Sequence, residues 1–188
     1  MIKPAAYFTS ISMVASGLLT LPVVAAPFEG KRTIKLVEND GTSHELARID
    51  FTPSGEGATY MIDWNEKPFT DHFLSMRPFK CIEGVKKYWC RVPYPYEIKR
   101  KVSAGDLGDL EYDTMFIWKG ATEYGINMWN GVYYKMKVDG DRLVGSIHEL
   151  DMNKLSAPPE KGNLRPLLEQ DLEKGEPESH WLPKLVIE

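Results

Sequence analysis

Residues Gly131 to Leu150 constrain the fold more than any other stretch. GVYYKMKV and RLVGSIHEL flank Asp139-Gly140-Asp141, and Val132, Tyr134, Met136 and Val138 recur at every second position. A period of two is that of a strand, whose side chains alternate between faces, and Asp-Gly supplies the backbone freedom of a tight hairpin turn. A lone hairpin is only marginally stable in water, so further strands must cover its apolar face.

The same period returns along the chain. Arg32 to Glu38 (RTIKLVE) alternates through Ile34 and Leu36, and the turn signal Asn39-Asp40-Gly41 follows. Ser43 to Phe51 continues through Leu46, Ile49 and Phe51, and Ala58 to Trp64 (ATYMIDW) through Tyr60, Ile62 and Trp64. Thr114 to Lys119 (TMFIWK) is strand-like as well. Some seven or eight short strands at regular spacing predict an all-β fold, a small antiparallel β-barrel or sandwich. Helix is expected in two places only. Ser103 to Asp113 would make one or two turns capped by Ser103, and Leu164 to Lys174, with Gly175 behind it, a short C-terminal helix. Ala121 to Asn130 is expected to be a loop. Ala157-Pro158-Pro159 marks a break, dividing a β domain over 26–157 from an extension over 158–188. The closing LPKLVIE would add an edge strand or dock its apolar residues on the barrel.

Cys81 and Cys90 are the only cysteines, nine positions apart, with Glu83-Gly84 as a turn between Pro78–Ile82 and Lys87–Val92. A hairpin would bring them together as a structural disulfide, and two free thiols in a core is the alternative. The spacing is not that of a Cys-x-x-Cys redox or zinc motif. Beyond the pair, Pro93-Tyr94-Pro95-Tyr96 lacks two amide donors and is excluded from any central strand. The aromatics Phe73, Phe79, Tyr88, Trp89, Tyr94 and Tyr96 line either a groove or a core beneath the cysteine loop, and core is the commoner use of such residues.

At the N-terminus, Lys3 precedes a run without charge from Pro4 to Ala26 that ends in small residues. This is the pattern of a secretory signal peptide over residues 1–25, cut after Ala25. Ser10, Ser12, Gly17, Thr20 and Pro22 interrupt the apolar run, which argues against a retained membrane anchor. The expected product is periplasmic or secreted. The full chain's 23 basic and 27 acidic residues give a net charge of −4, and no basic run marks a nucleic-acid partner.

Trp129 to Ile147, WNGVYYKMKVDGDRLVGSI, resembles the strand-turn-strand of calycin (lipocalin-type) barrels. FTDHFLSMRPFKC followed by WCRVPYPYEI resembles a family of uncharacterised exported proteobacterial proteins. The second resemblance implies a compartment and no activity.

Catalytic chemistry finds little footing. There is no Gly-x-Ser-x-Gly elbow, phosphate loop or dinucleotide fingerprint. His72, His148 and a carboxylate are available to a metal, but no HExxH or HxH spacing requires one, and neither metal nor cofactor is expected. Asp106, Asp109, Glu111 and Asp113 lack the order of a calcium loop and are expected to form a solvated acidic turn. The composition therefore points to a non-catalytic binding protein. It would hold a small apolar or aromatic ligand through Tyr60, Trp64, Trp118 and Tyr134, or an envelope protein at its surface. A hydrolase using His72 or His148 with nearby carboxylates is the second reading, and an interaction or inhibitor module using Cys81 to Tyr96 the third.

Overall fold

The computed structural model describes residues 27–75 and 78–188. The signal peptide expected over residues 1–25 lies outside them. Twelve strands form one antiparallel sheet: β1 (Gly30–Val37), β2 (Ser43–Ser54), β3 (Gly57–Trp64), β4 (Thr70–Phe73), β5 (Pro78–Glu83), β6 (Lys87–Arg91), β7 (Lys101–Val102), β8 (Phe116–Gly120), β9 (Gly131–Asp139), β10 (Arg142–Leu150), β11 (Leu172–Lys174) and β12 (Lys184–Ile187). They run in the order β4-β5-β6-β8-β9-β10-β12-β1-β2-β3-β7, with β11 beside β10. The fold is all-β, and its one α-helix among the described residues is α1, Gly108–Asp113.

The sheet curls around a core without closing. Residues of β3 near one end (Ala58, Tyr60) share a hydrophobic cluster with Trp89 of β6 and Phe116 of β8 near the other. The rings of Trp64 and Phe116 lie 6.4 Å apart. Yet no ladder joins the terminal strands β4 and β7, so the barrel is curled but open.

The alternation read in β9 holds. Val132, Tyr134 and Met136 point into this core, whereas Tyr133 faces a second cluster on the outer side of the sheet. Phe116 and Ile117 in β8, and Trp89 and Cys90 in β6, divide the same way. This part of the sheet is buried on both faces, and such strands read as continuous apolar runs. In β2, Leu46 and Ile49 are three residues apart and cannot share a face by alternation alone. A bulge beside the Ile34/Lys35 register step inserts the extra residue that turns both inward.

Three local expectations change. No α-helix forms over 164–174. Asp171 accepts from the Leu168 amide around a 3-10 turn, Glu169–Asp171, and β11 then extends onto the edge of β10 beyond β12. The N-cap of α1 is Leu107 rather than Ser103, which instead forms an isolated bridge with Asp106. The closing segment is no edge, because β12 lies between β10 and β1, with Ile187 opposite both Ile34 and Leu143. Residues 158–188 thus contribute two strands to the common sheet.

Candidate functional site

The interior is filled by side chains. Trp89, Phe116 and Tyr134 are fully buried, the Trp89 indole N–H donates to the Tyr134 hydroxyl (3.0 Å), and that hydroxyl donates to the Leu182 carbonyl (2.7 Å). Accordingly, Tyr60, Trp64, Trp118 and Tyr134 do not line one cavity. Tyr134 sits within the core, and Trp118 packs half-buried beside His180 under the Lys87 ammonium, 4.0 Å above its ring. Tyr60 is buried in the same core and reaches Asp113 with its hydroxyl, while Trp64 packs against that core at the seam where the barrel stays open.

One bank of the seam is β3. Its ladder with β7 covers only Ala58 and Thr59, and Tyr60 N–H donates to the Arg100 carbonyl (3.1 Å). Arg100 then turns the chain away with a φ of +50°, in the left-handed region that residues other than glycine rarely occupy. Beyond it, Ile62 and Trp64 face inward but stay partly exposed, since the wall beside them is missing. The other bank is Arg91, Pro93 and Tyr94. After the Val92 amide bonds to Met115 O (3.1 Å), Pro93 and Pro95 have no N–H to offer across the gap. Between the banks lies a depression of about 420 Å³ lined by Met61, Ile62, Trp64, Arg91, Tyr94 and Asp113 among others.

The charges here are unevenly satisfied. Asp113 accepts from the Tyr60 hydroxyl (3.0 Å) and from Arg100 Nε (3.0 Å). Burial raises the Tyr60 pKa, which keeps its hydroxyl protonated as that donor. Arg91 differs: its guanidinium lies 4.3 Å over the Trp64 ring, its Nε is buried without a hydrogen-bond partner, and among the described residues it makes no ion pair. Burial lowers its pKa, a desolvation of the cation that the nearby Glu66 and Asp113 carboxylates offset only in part.

The acidic run is not a solvated turn. Asp109 is buried and accepts from the Lys101 amide (3.1 Å), while Glu111 accepts from the Tyr133 hydroxyl and the Met136 amide, both at 2.6 Å. These carboxylates fasten α1 to β7 and β9. Burial still raises the Glu111 pKa. Among the described residues no group of three His, Cys, Asp or Glu side chains is placed to hold a metal ion.

Nor do His72 and His148 converge. His72 on β4 pairs with Glu83 (2.8 Å), His148 on β10 sits by its own strand's Ser146 carbonyl, and β5, β6, β8 and β9 intervene in the sheet. The buried histidine is His180, 2% exposed, with Nε2 2.8 Å from Glu149 and Nδ1 unpartnered. Burial is the chief cause of its lowered pKa. A depressed folded-state pKa means the unfolded chain takes the proton first. The His180 contribution is therefore complete above the ordinary value of 6.5 and is lost as pH falls through the lower folded value. Urea titrations at pH 7.5 and pH 5.5 should show a smaller stability difference between wild type and His180→Gln at the lower pH. An unchanged difference would mean that His180 is not held neutral.

The sequence does not mark Arg91 or Arg100 as site residues, and it offers Asp113 only as part of the acidic turn. The one available signal was an arginine followed closely by prolines after a cysteine strand. No protein-family model, curated protein or solved structure gives a significant match to this chain.

Proposed function

We propose that the chain is an exported, non-catalytic binding protein that takes its partner at the seam between β3 and the Arg91–Tyr94 segment. The observation that carries this reading is a contrast. The interior is packed with Trp89, Phe116 and Tyr134, whereas Trp64, Ile62 and an ion-pair-free Arg91 are left at an opening in the wall. Aromatic and arginine side chains are the usual anchors of binding surfaces. Export is supported by the pattern of residues 1–25 and by the Cys81–Cys90 disulfide, a bond that persists in oxidising compartments.

Two measurements test the reading. Intact mass of protein from a periplasmic fraction should correspond to a chain beginning near Ala26. A photo-crosslinking residue at Met61, 75% exposed beside the seam, should give a discrete adduct in intact cells that Trp64→Ala removes, while the same group at Lys137 on β9 should give none. Equal labelling at both positions would remove the seam as the binding surface. A chain retaining residues 1–25 would remove export by cleavage.

A further inference from the structure

Strand parity decides what the free edge of β3 offers. Tyr60 N–H points away from β2, toward Arg100, and Asn65 N–H points back to Leu46 of β2 (2.8 Å). Backbone groups alternate sides along a strand, so the N–H and C=O of Ile62 and the N–H of Trp64 point into the seam. Among the described residues no hydrogen bond reaches them. Edge strands are ordinarily blunted by prolines, bulges or a covering segment. Here the prolines lie on the facing bank, and the edge runs along a depression walled by Trp64 and Tyr94.

We propose that this edge takes an extended, acidic peptide segment of a partner protein by strand addition, its backbone pairing with Ile62 and Trp64 and a carboxylate meeting Arg91. Resting on the seam as the binding surface, this names the partner's chemistry. An incoming strand supplies donors and acceptors at the repeat that β3 presents, and the stretch from Met61 to Trp64, beyond the Arg100 contact, accommodates about four residues at roughly 3.4 Å each. Charge selects the acidic peptide. Arg100 is already engaged by Asp113, so among the described residues lining the depression the cation without an ion pair is Arg91, and its planar fork is matched by a carboxylate through two parallel hydrogen bonds. The lining of the depression carries Arg91 and Arg100 against the single carboxylate of Asp113, on a chain of net charge −4.

The test is selection of random heptapeptides displayed on phage against the purified protein, followed by amide hydrogen exchange with a selected synthetic peptide. Enriched peptides should carry an acidic residue and slow exchange at the Ile62 and Trp64 amides at least about tenfold. N-methylation of the peptide residue opposite Ile62 should abolish binding. Arg91→Gln should weaken binding about tenfold or more while Glu-to-Gln in the peptide has no further effect on that variant. The methylated peptide leaves the protein untouched, so a misfolded variant cannot account for the result. An empty selection, neutral or basic winners, or binding without protection of those two amides would overturn strand addition. Were selection empty but the Met61 crosslink still dependent on Trp64, the seam would stand with a different occupant. Loss of both would end both readings.

Discussion

Trp89→Ala is expected to cost about 3–5 kcal/mol of unfolding free energy, measured as a shift in the urea midpoint at constant m. The side chain is fully buried, its ring packs against His180 at 5.5 Å, and its N–H is one link in a chain of two hydrogen bonds ending on Leu182 O. Truncation both opens a cavity and removes a donor from the Tyr134 hydroxyl. Tyr134→Phe isolates the second term. It strands the Trp89 N–H and the Leu182 carbonyl in the core, each at roughly 1–3 kcal/mol. Because both substitutions act on one network, the double variant should be less destabilised than the sum of the singles. A loss below about 1 kcal/mol for Trp89→Ala would contradict the packed interior and reopen it to a ligand.

Removal of the Cys81–Cys90 bridge, as the paired alanine variant, is expected to cost about 2–4 kcal/mol. The two residues are directly opposed in the β5–β6 register, and both are fully buried in the outer cluster that also holds Tyr94 and Ile98. The bond thus restrains the unfolded chain while its sulfurs are shielded in the folded one. Alkylation of native protein in reductant should be slow, with a rate that follows opening of the hairpin, and should become fast in urea. Rapid native alkylation would place the sulfurs at the surface.

What the sequence discloses here is mostly local. The β9–β10 hairpin and the cysteine pair depend on neighbours within about twenty residues, and alternation plus turn chemistry locate them. The bulge at Leu46 has a trace in the three-residue step to Ile49, readable only once both are known to be buried. The long-range features leave no such mark. Leu172–Lys174 pairs with β10 because β12 stops short of that edge, a fact about a distant strand's length. Asp109 and Glu111 have the composition of a solvated turn, and their buried partners come from β7 and β9. The seam depends on Arg100's backbone angle and on prolines across the gap, so no window of sequence contains it.

The position of β12 bears on how the molecule is made. Its four residues hold β1 to β10, and Thr33 exchanges backbone hydrogen bonds with Glu188 at the far end of the sequence. A nascent chain that has emerged only through β11 therefore has two unjoined half-sheets, each with an unsatisfied edge. Joining them waits for β12, and pairings so distant along the chain close slowly. A proteolytic clip just before Lys184 would leave the chain without the strand that unites its halves.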